Sequence, residues 1–182
     1  RFKKNWDTAN RFSNGGLDQF SYFAAVRNSG ASIFELPKIW CDKNLIDEIE
    51  IKELILIDSL LKKQKGLICL TPHLGSFELI PRVFSQKYPV SVLYKPSHNK
   101  NFEKLFQELR PSDKITMVTT SFSGVKKLLF ALKKGEVVGL LPDQVPSKLS
   151  GIYENFFGKP AYTMTLAAKL IVSTGAPVVW VS

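Results

Sequence analysis

Cysteine and histidine are scarce in this sequence, whose 182 residues include only two of each. Cys41 and Cys69 have neither metal-ligand spacing nor a disulfide pattern, so the chain fits a reducing compartment and we expect no metal and no other cofactor. Apolar runs are short, since none reaches the ~18 to 20 residues that span a bilayer, and the given residues contain no signal-peptide pattern. A fragment could have lost either segment. The chain starts at Arg1 and stops within a strand-like segment at Ser182, so we expect a fragment of a longer protein.

Acidic residues are outnumbered by basic ones, which gives a formal net charge of +9. Such a charge favours an anionic partner, whether nucleic acid, acidic phospholipid or an acidic carrier protein. The lysines lie in scattered pairs, including Lys62-Lys63, Lys126-Lys127 and Lys133-Lys134, and not in the long basic block of a nucleic-acid-binding tail. Each pair by itself also fits a solvated helix face.

The apolar content is sufficient for a folded core. Hydrophobic residues make up 45% of the chain and aromatic residues 12%, which argues against disorder and predicts one domain over residues 1–182. Apolar strand-like runs alternate with helical patterns, an order typical of an α/β fold with a largely parallel (mixed) sheet flanked by helices. The predicted strands are 66–70, 90–94, 115–118, 136–141 and 177–181. The predicted helices are about 52–63, 102–109, 121–135 and 161–173, with a further helix that carries Glu78.

Three other segments are assigned from local pattern. Alternation over Leu45–Ile51 suits a half-exposed strand, and Glu35–Trp40 is interpreted as a short turn-rich segment. Residues 145–160 are rich in proline, glycine and serine and are predicted to form a loop. Because that loop carries Tyr153 and two adjacent phenylalanines, it is either packed or available to an apolar ligand.

The segment Thr71–Glu78 places a histidine and a glutamate five positions apart, directly after a buried strand. His73 then falls at the carboxyl end of that strand, where open α/β sheets commonly hold ligands, and Gly75 permits a tight turn. Positions five apart diverge by ~140° on one helix, so a contact requires His73 in the turn and Glu78 on the next helix. Glu78 would then orient the imidazole while the other ring nitrogen takes a proton from a hydroxyl. The same spacing also fits a histidine that packs at a strand end and a solvated glutamate.

Polar side chains also follow two other predicted strands. Lys95 comes after 90–94 and Asp143 after 136–141. Since the carboxyl ends of parallel strands share one edge of a sheet, these two residues and His73 are predicted to line one cleft. Alternatively, Lys95 only ends a strand and Pro142-Asp143-Gln144 is only a turn.

Five motifs in order carry a resemblance to a known family. From about Ser29 to its end, the chain resembles the bacterial lipid A biosynthesis acyltransferases of the wider lysophospholipid acyltransferase superfamily. The motifs are the His-Glu pair in Thr71–Glu78, Tyr94-Lys95-Pro96 with Asn99, Leu132–Val138, Pro142-Asp143-Gln144, and Phe156–Ala161 with Thr163. One such motif is weak evidence, whereas five in order are a strong signal.

The resemblance implies that a fatty acyl chain passes from acyl carrier protein to a hydroxyl of a lipid A precursor, at the cytoplasmic face of the inner membrane. It implies that His73 is the general base and Glu78 its partner. The implied substrate-binding residues are Lys95, Asp143, Ser76 and Gln144. Lys95 stands where the family usually has arginine, so the charge is kept but the two-pronged grip on phosphate or carboxylate is lost. His98 is treated as a surface residue.

The resemblance also bears on the looser features of the chain. A basic surface suits both an acidic carrier protein and a phosphorylated glycolipid, and aromatic residues in the segment 145–160 suit acyl chains. Family members usually have an amino-terminal membrane anchor and continue past Trp180, which agrees with the expectation of a fragment.

Two other functions compete with this interpretation. A phospholipid acyltransferase of the same superfamily would acylate lysophosphatidic acid, but the Tyr-x-Pro and Phe-Phe-Gly-x-Pro-Ala motifs fit the lipid A branch better. A non-catalytic basic module for nucleic acid or anionic membrane requires His73 and Glu78 to be incidental and predicts an affinity that falls steeply with salt. We therefore expect an enzyme without a nucleic-acid partner. The sequence has no serine nucleophile-elbow motif, so a hydrolase is less consistent with it.

Overall fold

Helices and strands alternate along most of the chain. The computed structural model describes residues 2–17, 20–42, 44–47, 49–50, 52–97, 99–109 and 113–182. The strands in this part are β1 (Leu67–Leu70), β2 (Val90–Tyr94), β3 (Ile115–Thr119), β4 (Val137–Leu140), β5 (Gly151–Phe156), β6 (Lys159–Met164) and β7 (Val178–Trp180). The helices are α1 (Phe2–Phe12), α2 (Tyr22–Cys41), α3 (Leu54–Leu61), α4 (Leu79–Ser85), α5 (Lys100–Leu109), α6 (Phe122–Lys133) and α7 (Leu166–Thr174), with a 3-10 turn at Asn44–Ile46.

Five of the strands form a parallel sheet in the order β3-β2-β4-β1-β7. Strand β4 lies between β1 and β2, and Val137 is opposite both Leu67 and Val90 in register. The predicted α/β fold with a largely parallel sheet and flanking helices is confirmed. The remaining strands, β5 and β6, form a separate antiparallel hairpin.

Helices cover both faces of this sheet, so its central strands β1 and β4 carry no polar side chain. Ile68 packs into a core with Leu132 of α6 and Leu170 of α7. Its neighbour Cys69 faces the other side, in a second core that includes Ile57 of α3 and Phe84 of α4. The prediction of Cys69 as a core residue is confirmed.

Helix α6 begins at a side-chain cap and lies very close to the sheet. The Ser121 hydroxyl accepts a hydrogen bond from the Gly124 backbone N–H at 3.1 Å, which satisfies one of the free donors at the helix start. A Cβ at Gly124 would overlap the backbone carbonyl of Thr119. Glycine at this position therefore allows α6 to approach the end of β3.

The sequence predictions for 35–51 were wrong. Glu35–Trp40 lies within α2, which continues through Pro37, because burial of Ile39 and Trp40 outweighs the local turn signals. Asn44–Ile46 is a 3-10 turn and not part of a strand, since the Asp42 carboxylate accepts the backbone N–H groups of Asn44 and Leu45 at 3.0 and 3.3 Å. Positions 48 and 51 of the predicted strand, and His98, lie outside the described residues.

The prediction of a loop at 145–160 was also wrong in its second half. β5 and β6 are joined by Phe157-Gly158, both with positive φ, which is the backbone of a two-residue hairpin turn. Phenylalanine is not a typical residue of such a turn, so the pattern did not reveal it. Pairing with β5 also takes Ala161–Met164 into β6, so the helix predicted from Ala161 begins at Leu166.

Candidate active site

Three central strands of the sheet end beside one another and deliver polar side chains to one edge. His73 follows β1 and Asp143 follows β4, the neighbouring strand, and Lys95 follows β2 on the far side of β4. The turn after His73 uses Gly75 with φ of 59°, as its position predicted. Sheet order thus brings residues 70 positions apart in sequence into contact.

Asp143 holds His73 through two hydrogen bonds. Its Oδ2 accepts the His73 backbone N–H at 2.8 Å, and its Oδ1 lies 2.7 Å from Nδ1 of the imidazole. The ring also meets Phe77 edge to face, with ring centroids 5.1 Å apart. The bond to the backbone N–H therefore fixes the position of His73, and the contacts with Asp143 and Phe77 fix the rotation of its imidazole.

These contacts define the tautomer of His73. An ionised carboxylate can only accept, so Nδ1 carries the hydrogen and donates to Asp143. In the neutral ring Nε2 is then an acceptor, and the Gln144 side-chain nitrogen lies 3.1 Å from it as a donor. Partial burial acts to raise the pKa of Asp143, but the hydrogen bonds and charge of His73 outweigh it and lower that pKa below its ordinary value.

Glu78 is held by a residue from a different helix. It occupies the N-cap position before α4 and not the helix interior, and its Oε2 accepts a hydrogen bond from Trp40 Nε1 at 3.3 Å. The expected direct contact of Glu78 with the imidazole is not the arrangement seen, because Asp143 and Gln144 occupy the two ring nitrogens. The catalytic role of Glu78 stays a prediction.

A cavity of about 830 Å³ connects this polar edge with the interior. Its polar lining includes His73, Glu78, Lys95 and Gln144. Between the sheet and α4 the lining is apolar and includes Cys69, Phe84, Val92 and Met117. The cavity therefore suits a ligand with a polar reacting group and a long apolar chain.

The sequence matches the family of bacterial lipid A biosynthesis acyltransferases over residues 23–182. The chain belongs to this family. It is therefore an acyltransferase of lipid A biosynthesis, which takes an acyl group from a donor to a lipid A acceptor. No curated protein sequence gave a significant match.

The loop that carries Lys95 is fixed by one carboxylate of the acyltransferase. Glu103 accepts the Tyr94 hydroxyl at 3.0 Å and the Ser97 backbone N–H at 2.8 Å. These bonds lie on either side of Lys95, which lines the cavity with an exposed side chain. The prediction that Lys95, His73 and Asp143 meet at one sheet edge agrees with this placement, whereas their substrate roles stay predictions.

Several residues of the site were not found from the sequence. Trp40 and Glu35, both on α2, bond to Glu78 and to the Ser76 hydroxyl, the latter at 2.8 Å. Glu103 on α5 is the third. No local pattern connects these residues to the edge of the sheet, and their contacts span six to 41 positions.

The thiol in the cavity wall has a chemistry of its own. Burial raises the pKa of Cys69 to about 12, so the thiol stays neutral at physiological pH and is a poor nucleophile.

Among the described residues, no group of three His, Cys, Asp or Glu side chains is arranged to hold a metal ion. In the same part of the acyltransferase, no helix has the length and apolarity that crossing a membrane requires.

Proposed function

We propose that this acyltransferase moves a fatty acyl chain from acyl carrier protein to a hydroxyl of a lipid A precursor, at the cytoplasmic face of the inner membrane. Family membership supports acyl transfer and the lipid A acceptor, while the carrier protein and the location are part of the proposal. The observation that carries the chemistry is the His73–Asp143 pair at the cavity edge. It leaves Nε2 of His73 as a base next to the space for a substrate.

In the proposed reaction, Nε2 of His73 accepts the proton of the acceptor hydroxyl as the oxygen attacks the thioester carbonyl. The hydroxyl takes the place of the Gln144 amide at Nε2. The tetrahedral intermediate then collapses, the carbon–sulfur bond breaks, and the imidazolium returns the proton to the departing sulfur. The products are an ester and a free carrier thiol, with no covalent enzyme intermediate. The neutral Cys69 thiol takes no part.

The two carboxylates have different proposed roles. Asp143 keeps the reactive tautomer of His73 and stabilises the imidazolium, because it bonds to Nδ1. Glu78 lines the same cavity, held by Trp40, and keeps in the proposal the catalytic role that the family resemblance implies. The orienting role that the spacing assigned to Glu78 thus passes to Asp143 in the proposal.

In the proposal, the acyl chain and the anionic group of the substrates bind in different parts of the cavity. The apolar interior beside α4 accommodates the acyl chain, and the Lys95 ammonium binds an anionic group of donor or acceptor at the mouth. Ser76 and Gln144 complete the proposed substrate-binding set, with Gln144 marking the position of the hydroxyl.

Substitution of the base tests the proposal. His73→Ala should lower turnover of an acyl carrier protein thioester with a lipid A precursor by ~10² to 10⁴-fold. The fold should persist, because the imidazole is outside the apolar cores. Near wild-type turnover together with an unchanged melting curve would show that His73 is not the base.

The carboxylates are distinguished in the same assay. Asp143→Asn should lower kcat more than Glu78→Gln, because only Asp143 bonds to Nδ1. The reverse order would assign the orienting role to Glu78.

A further inference from the structure

The β5–β6 hairpin and the loop before it carry large apolar side chains that no described residue covers. Phe157 at the turn is 91% exposed and Leu149, just before β5, is 98% exposed. The exposed rings of Phe156 and Phe157 meet edge to face, with centroids 4.6 Å apart. Among the described helices and strands, β5 and β6 make extensive contacts only with each other. A two-stranded ribbon of this kind is marginal in water unless something covers it.

The backbone conformation at Leu149 and Phe157 is one that large apolar residues rarely adopt. Leu149 and Phe157 have φ of 69° and 50°. This left-handed region of backbone conformation disfavours residues other than glycine, asparagine and aspartate. Asn-Gly is the favoured sequence for a two-residue turn such as Phe157-Gly158. The chain thus has phenylalanine where asparagine would give a more stable turn, although this phenylalanine buries little surface within the chain. Turn stability alone does not explain it.

Charge indicates what covers these side chains. Lys148 precedes Leu149, and Lys159 lies opposite Phe156 in the hairpin register. Apolar side chains flanked by lysines suit the surface of an anionic bilayer, where rings enter the acyl region and ammonium groups meet phosphates. The surface also reaches α1, because Lys159 Nζ lies 5.4 Å from the ring centroid of the exposed Phe12.

Position connects this surface with the cavity. The segment from Val145 to Ser150 contributes to the cavity lining and also holds the exposed Leu149. The same segment follows Gln144, which bonds to His73. Leu149, at the base of the hairpin, therefore stands at the mouth of the cavity that contains the proposed base, and Phe156 and Phe157 lie at the turn of the same hairpin.

We infer that the hairpin surface, formed by Lys148 and Leu149 at the base of the hairpin and by Phe156, Phe157 and Lys159 at its turn, docks on an anionic phospholipid leaflet. Docking sets the cavity mouth against the membrane, so that an acylated acceptor reaches His73 without leaving the leaflet. This inference rests on the proposed function, because it takes the acceptor to be a membrane lipid.

Vesicle binding by the full chain tests the inference. The double variant Leu149→Asn/Phe157→Asn removes both apolar side chains and suits the left-handed backbone, so its melting temperature should equal or exceed that of the unsubstituted chain. Its binding to vesicles of phosphatidylglycerol and phosphatidylethanolamine should fall roughly tenfold or more. The control Phe130→Gln/Val172→Gln removes a phenylalanine and an aliphatic residue that are exposed on α6 and α7, and it should bind like the unsubstituted chain.

Undiminished vesicle binding by the asparagine variant, or an equal loss in the control, overturns the inference. So does a failure of the unsubstituted chain to bind these vesicles. Loss of affinity for acyl carrier protein with unchanged vesicle binding would make the hairpin surface a protein-docking surface instead. Vesicle binding requires no catalysis, so these outcomes are independent of turnover and of the His73→Ala result that tests the proposed function.

Discussion

Asp143 contacts one residue twice, through the backbone N–H and the imidazole of His73, and both bonds favour its charged form. They lower the pKa of the Asp143 carboxyl even though partial burial acts to raise it. A carboxyl whose pKa is lower in the folded state than in the unfolded state stabilises the fold at pH values above its unfolded-state pKa. That contribution is lost as pH falls through the folded pKa.

The direction of this pKa shift predicts how the stability of the Asp143→Asn variant changes with pH. The variant should unfold more easily than the unsubstituted chain above about pH 5, and the difference should shrink as pH falls below about 4, the ordinary range of an aspartate pKa. Denaturant unfolding at several pH values measures it. Asp113→Asn, at an exposed position, serves as the control for the loss of a carboxylate. A constant difference for Asp143→Asn across the range would mean that packing and not charge is responsible.

The polar residues at the strand ends could be found from the sequence, but their pairing could not. His73, Lys95 and Asp143 each follow an apolar run, and parallel strands place such ends on one edge. Which carboxylate reaches the imidazole depends on sheet order, and β4 lies next to β1. Spacing within Thr71–Glu78 favoured the nearer carboxylate, whereas the fold supplies the distant one.

At the scale of elements, buried strands and amphipathic helices were predictable and irregular segments were not. β1, β2, β4 and α6 carry apolar patterns that reflect the core they enter. The hairpin was missed because Phe157 occupies a turn position that usually holds asparagine or glycine. The end of α2 was missed because Pro37 signals a break, while burial of Trp40 keeps the helix intact.

Two glycines in helices provide a matched test of packing. Gly124→Ala should destabilise the fold by about 1 to 3 kcal/mol or more, because its Cβ would overlap the Thr119 carbonyl and force α6 away from β3. Gly30→Ala in α2 meets no atom within 4 Å and should stabilise by up to about 1 kcal/mol through helix propensity. Denaturant unfolding of the two variants measures both. Equal effects of the two substitutions would mean that the close approach of α6 does not limit the fold.

At the scale of the whole molecule, the charge of +9 acts at long range. Lys126 and Lys127 lie on α6, and the Lys126 ammonium is 4.6 Å from the ring centroid of the exposed Phe122. Such a basic and aromatic surface is suited to an acidic partner, and acyl carrier protein is the partner in the proposed function. Surface charges mainly raise the rate of productive encounter, so their contribution depends on ionic strength.

Reversal of charge on α6 should therefore give a defect that salt removes. Lys126→Glu/Lys127→Glu should raise KM for the carrier thioester severalfold, on the order expected for lost electrostatic steering, at about 0.05 M salt. The defect should fade near about 0.5 M, where charges are screened within a few ångströms. Lys62→Glu/Lys63→Glu, after α3, changes the net charge by the same amount at another exposed site. A local docking surface on α6 predicts a larger rise in KM for the Lys126/Lys127 variant than for the Lys62/Lys63 variant. An equal rise in KM for both variants would indicate that overall charge steers the carrier protein. A defect on α6 that persists at high salt would instead indicate a damaged fold, which the melting curve of the variant would reveal.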